Sequence, residues 1–145
     1  MSRQNPRYRA LTTMLAAMLL HGHAQAQTEE QWDWCYGIGV PAPNVQPPEL
    51  LISGCTAVIQ SGNRSGHDLA MAFIIRGLGF ARVLQFERAF EDFNESISLD
   101  STYAPAYHHR GNMYLEKGEI ERAGQDFDQA ARLKQREAEL AVEEL

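Results

Sequence analysis

Ala70-Met71-Ala72-Phe73-Ile74-Ile75-Arg76-Gly77 returns thirty-four positions later as Ala104-Pro105-Ala106-Tyr107-His108-His109-Arg110-Gly111. The correspondence continues downstream. Phe80 falls on Tyr114, Arg88 on Arg122, Ala89 on Ala123, and Asp92-Phe93 on Asp126-Phe127; Leu99 falls on Leu133. A fixed period of this length marks stacked supersecondary units. The residue types say what the unit is. Gly77 and Gly111 fall in mid-helix, where glycine costs about 1 kcal/mol. The return is close approach of a second helix, which carries Ala89 or Ala123. Phe80 and Phe93 fill the space around one such contact, and Tyr114 and Phe127 the other. An ordinary amphipathic bundle would not need the same small residues at a fixed period.

Outward from this pair the chain stays helical. Pro48 suits a first helical residue and Gly62 a stop. Ser65 with Asp68 resembles a capping box for a helix over 68–83. Further helices are expected over 86–99, 102–117 (stopped by Gly118) and 120–142. No segment alternates as a strand does.

The aromatic-x-x-Arg-Gly-x-x-aromatic run, followed by Ala, Asp-Phe and Leu, resembles the tetratricopeptide repeat. The resemblance covers about 69–134. It implies an all-α, short right-handed solenoid of helix-turn-helix units, with units at 69–102 and 103–136. Cys55-Thr56-Ala57-Val58-Ile59 aligns with Phe93-Asn94-Glu95-Ser96-Ile97, so 48–68 is expected to hold part of a preceding unit. Leu84 departs from the family, which prefers glycine at the inter-helix turn. Ser101 and Gln135 stand where a proline usually closes each unit. Without that stop the last helix is free to run on, and 137–145 reads as a solvated cap.

The N-terminus reads differently. Arg3, Arg7 and Arg9 precede an apolar run from Leu11 to Leu20, and Ala24-Gln25-Ala26 offers a cleavage site before Gln27. Residues 1–26 are therefore expected to be a signal peptide, and the protein periplasmic or secreted. The run is too short to span a bilayer. Four prolines between 41 and 48 make 27–47 an expected extended strap. Cys35 and Cys55 are the only cysteines, and in an oxidising compartment they read as one disulfide tethering it. Trp32, Trp34 and Tyr36 beside it are expected to pack onto the domain.

Charge narrows the partner. The 145 residues carry 13 basic and 19 acidic side chains, a net −6. Losing 26 residues and three arginines leaves 119 residues at −9. That balance disfavours nucleic acid. His108 and His109 diverge by about 100° on a helix and cannot easily share a metal. Gly77-x-Gly79 lacks a third glycine and a preceding strand, so no dinucleotide loop is present. Neither a catalytic set nor a cofactor is expected.

In the family, the first helix of each unit lines a ligand-facing groove. Carried over, this implies Met71, Ile74, Leu78, Ala81 and Arg82, then His108, Asn112, Leu115 and Glu116. Such a groove suits an extended peptide or a partner's helix. The family's best-known groove holds a chaperone C-terminal carboxylate through Lys and Asn. Asn112 fits one such place, but Ile74 and Leu78 cannot donate hydrogen bonds, so that clamp is not expected. The reading is a non-enzymatic interaction module. The alternatives are a self-associating subunit stacked end to end and, less favoured, a small thiol redox protein using Cys35 and Cys55.

Overall fold

The computed structural model describes residues 32–33, 35–36 and 46–143. The expected signal peptide and most of the strap lie outside these residues. Five helices follow in order: α1 Pro48–Ser61, α2 Gly66–Arg82, α3 Phe86–Leu99, α4 Ala104–Glu116 and α5 Ile120–Glu143. Each packs on the next, as stacked hairpins do. Among the described residues there is no strand.

Local chemistry sets the boundaries. Pro48 starts α1, and Gly62 ends it at φ 65°. Ser65 is extended before α2 but makes no side-chain capping bond, so the capping box does not form; the helix begins at Gly66 instead. Asp100 organises the α3–α4 turn. Its Oδ1 accepts from the Thr102 backbone N–H at 2.9 Å and from the Thr102 hydroxyl at 2.7 Å. Leu84 and Gly118 are thirty-four apart and close the two inter-helix turns at φ 60° and 76°. Leu84 therefore takes the family glycine's left-handed conformation, at a cost of about 1 kcal/mol.

The expected small-to-large contacts are present. A methyl group on Gly77 would lie 2.6 Å from Phe93 Cε1, and one on Gly111 would lie 2.8 Å from Phe127 Cε1. Ala89 and Ala123 are fully buried. A second contact repeats with the same period. Arg76 Nε and Nη2 donate to the Asp92 carboxylate at 2.9 and 2.7 Å. Arg110 donates likewise to Asp126 at 2.7 and 2.7 Å. Both carboxylates are buried. Burial of such a pair works only because the planar fork satisfies both oxygens at once. Asp126 also raises the Arg110 pKa above its ordinary value.

Each arginine reaches one helix further back. Arg110 Nη1 donates to Asn94 Oδ1 at 2.9 Å, and Arg76 Nη1 to Thr56 Oγ1 at 3.5 Å. Thr56 thus does for Arg76 what Asn94 does for Arg110, so α1 is the second helix of a partial unit. In that register Cys55 is the counterpart of Phe93. Phe93 fills the notch at Gly77, whereas Cys55 bonds Cys35. The disulfide replaces a ring-in-notch contact, and both cysteines are fully buried. Closing a loop of this length removes roughly 3 kcal/mol of unfolded-chain entropy.

The described strap residues correct one expectation. Trp32, Asp33, Cys35 and Tyr36 are helical, not extended. Packing explains it. Cys35 clusters with Val58 and Ala72, with Trp32 and Tyr36 against them. The two rings lie 4.4 Å apart, and the Arg64 guanidinium covers Trp32 at 4.3 Å. A helical turn puts Trp32, Cys35 and Tyr36 on one face.

Candidate functional site

The two halves of the expected groove differ. On α2, Ile74 is 3% exposed and belongs to the main core with Ala106 and Met113. It is a packing residue and not a groove residue, because α4 lies over it. Leu78 and Ala81 pack on the same core. Met71 is half-buried; Arg82 is exposed at the helix end, with Nη1 donating to the Gln46 carbonyl at 2.8 Å. On α4 the corresponding side chains are open. His108, Leu115 and Glu116 are exposed and Asn112 is half-buried.

The covering contacts show why. Phe90 meets Tyr114 edge to face at 5.2 Å, and Phe93 stacks on His109 at 5.6 Å. Thirty-four residues on, Gly124 and Phe127 hold these places. No described element covers them, and Phe127 is only half-buried beneath His108 at 5.5 Å. Gly124 in place of Phe90, and Ala131 in place of Ile97, leave little to pack a further repeat.

The open α4 stripe runs into a cleft of about 750 Å³. His67, Asp100, Tyr103 and Pro105 form one wall, and Leu133 and Leu140 of α5 the other. Pro105 lies one turn before His108, so cleft and stripe share a helix face. His67 Nδ1 pairs with Asp100 Oδ2 at 2.6 Å, and its ring stands edge-on to Tyr103 at 4.7 Å. Desolvation alone would raise the Asp100 pKa, but the hydrogen bonds from Thr102 and His67 bring it below the usual carboxylate value. Burial, then Asp100, raises Tyr103. Since the Thr102 hydroxyl is spent on Asp100, this trio braces a turn. Among the described residues no three metal-ligating side chains converge. Beneath the stripe, burial lowers the His109 pKa to about 4, with His108 and Lys134 adding to the effect.

Comparison with known proteins agrees with this geometry. The tetratricopeptide-repeat family profile matches residues 104–137. A 65-residue stretch is 35% identical to the human mitochondrial import receptor subunit TOM70, covering 45% of this chain and 11% of that one. The chain thus spans about a tenth of that relative. A solved structure, the second TPR of Spaghetti (RPAP3) bound to an HSP90 peptide, superposes with a TM-score of 0.60 at 23% identity. The superposition covers 77% of this chain and 98% of that one. Residues 104–137 are a tetratricopeptide repeat.

The matched stretch, 104–137, overlaps the expected second unit at 103–136. Repeat packing at Gly77, Phe80, Ala89, Phe93, Gly111, Tyr114, Ala123 and Phe127 was legible as a pattern. The cleft was not. Its walls come from the start of α2, the α3–α4 turn and the end of α5. The one available signal was the seven-residue spacing of Leu133 and Leu140, in a tail otherwise read as a solvated cap.

Proposed function

We propose that this tetratricopeptide-repeat protein is an exported, non-enzymatic interaction module, working in the periplasm or outside the cell. It seats an extended peptide or a partner's helix along the open α4 stripe of its second repeat. One observation carries the reading. His108 and Leu115 are exposed, where their counterparts Ile74 and Ala81 are buried and half-buried against the core. The superposed RPAP3 domain, which holds a peptide, supports this mode of use. Apolar Leu115 beside Asn112 and Glu116 suits a segment with alternating apolar and polar side chains.

A photo-crosslinking residue at Asn112 or Leu115, tested in the native envelope fraction, checks both place and compartment. Partner adducts are expected there and not from exposed Gln125 of α5. The triple substitution His108→Ala, Asn112→Ala and Leu115→Ala should abolish capture by untagged competitor. A partner retained undiminished by this variant would move the binding face elsewhere.

A further inference from the structure

The open end of the second repeat has a covered counterpart in the first. On α5, Ile120 is 66% exposed, whereas Phe86, its counterpart on α3, packs on the main core. On α4, Leu115 is 43% exposed, whereas Ala81 packs on that core. Phe127 is half-buried where Phe93 is fully buried. Ile120, Gly124 and Phe127 share one face of α5 at i, i+4 and i+7. Gly77, Gly79 and Gly111 each face a side chain from a neighbouring helix, where an added methyl group would stand at 2.6, 2.8 and 2.8 Å. At Gly124 it would meet nothing within 4 Å. A mid-helix glycine costs about 1 kcal/mol, and among the described residues nothing approaches this one in return.

What covers this surface in the first repeat is a helix. α4 lies over α3 with Tyr114 against Phe90 and His109 against Phe93. Continued, this antiparallel course brings Ala106 level with Ile97, which packs on the cluster that Ala106 joins. Ala106, His109, Met113 and Tyr114 stand at i, i+3, i+7 and i+8, one face of a helix. The second repeat keeps the ring, Phe127 for Phe93, but has Gly124 for Phe90 and Ala131 for Ile97. Gly124 and Ala131 are seven residues apart, as Phe90 and Ile97 are, so the spacing of the template carries over. The sizes do not. A further unit built like these two would set alanine opposite Ala131 and leave a void. A helix seated here has to bring the bulk that α5 lacks.

We infer that the occupant of this end is an amphipathic helix of a partner protein, seated across α4 and α5 as α4 is seated on the first repeat. Its packing face keeps the i, i+3, i+7, i+8 order of α4 with two sizes raised. A large aliphatic side chain stands opposite Ala131, and a ring larger than tyrosine opposite Gly124. The inference rests on the proposed function and narrows its ligand from two forms to one.

Two peptides of the α4 sequence Ala104–Glu116 test it, each held helical by a lactam on its outward face. One is unaltered and the other carries Ala106→Leu and Tyr114→Trp. In calorimetric titrations of the disulfide-bonded chain from Gln27 onward, the enlarged peptide should bind at least about tenfold more tightly than the unaltered one. The double variant Gly124→Phe and Ala131→Ile gives the second repeat the sizes of the first, and both positions are exposed. With it the order of the two peptides should reverse, which also shows that it is folded. Equal binding of both peptides to the wild type overturns the inference. So does no saturable binding of the enlarged peptide up to about 1 mM, or an order that the double variant leaves unchanged. Self-association of the wild-type chain that the double variant abolishes assigns the end to a second copy and overturns it as well. Partner adducts at Asn112 that persist undiminished in the double variant would leave the proposed function standing and remove the helix.

Discussion

The two repeats share a blueprint and differ in what lies over them. Both set a phenylalanine in a glycine notch, and both bury an aspartate under a two-pronged arginine. The first repeat lies between α1 and α4; the second has neighbours on one side only among the described residues. Phe93 is accordingly fully buried, while Phe127 keeps part of its ring in solvent. Identical local chemistry thus yields a structural unit in one copy and an accessible one in the other. What separates core from open surface here is coverage more than residue type.

The largest expected effect tests coverage directly. Phe93→Ala should lower unfolding stability by about 4 kcal/mol, the usual cost of emptying a fully buried aromatic site. Phe127→Ala should cost roughly half as much, because its cavity opens to water and less area is regained. Urea denaturation of the two variants measures the gap. Equal losses would mean that something covers the second repeat.

The next effect is a pH dependence. The folded His109 pKa of about 4 lies below the unfolded value of about 6.5. Unfolded chains therefore bind the extra proton first as pH falls. His109 costs no stability above the unfolded value, then loses stability progressively down to the folded value. The loss should be on the order of 2 kcal/mol near pH 4.5, allowing for partial exposure of the ring. His109→Gln should flatten that part of the stability–pH curve relative to wild type. An unchanged slope would show that the imidazole is not held neutral between Phe93 and Lys134.

Gly77→Ala and Gly111→Ala sharpen the comparison further. Each gains about 1 kcal/mol in helix propensity. Each also forces a methyl group into a phenylalanine ring. Phe93 is enclosed and cannot yield, so Gly77→Ala should lose about 2 kcal/mol net. Phe127 can swing outward, and Gly111→Ala should come out near neutral. Thermal melts of the two variants read the difference.

The smallest effects make the first repeat resemble the second. Leu84, 75% exposed, adopts a left-handed φ where the second repeat has Gly118. Ser96 buries a hydroxyl with no hydrogen-bond partner where the second repeat has Ala130. Leu84→Gly relieves strain but loosens the unfolded chain, and should stabilise by about 0.5 kcal/mol. Ser96→Ala should stabilise by about 1 kcal/mol, since an unsatisfied buried hydroxyl is removed. A loss of stability on Ser96→Ala would reveal a bond that the hydroxyl makes in solution.

Much of the fold was legible along the chain. The 86–99 helix was placed to the residue, the 120–142 helix to within one at its end, and the disulfide followed from there being only two cysteines to pair. The alignment of Thr56 with Asn94 has a structural counterpart, since each accepts from the arginine of the helix that follows. The capping box at Ser65 failed because capping depends on hydroxyl orientation, which residue spacing does not set. Ile74 failed as a groove residue for a related reason. A repeat pattern ranks positions by their place in one unit, whereas exposure depends on the unit stacked against it.

Sequence alone determined the helices, the thirty-four-residue period and the pairing of small with large residues. These are set by contacts within one helix or one hairpin, and such contacts recur wherever the pattern recurs. Only the tertiary structure decided that Ile74 is core and His108 surface. It alone gathered His67, Asp100 and Leu140 around one cleft. These outcomes depend on where separate helices end relative to one another, and no local pattern encodes that.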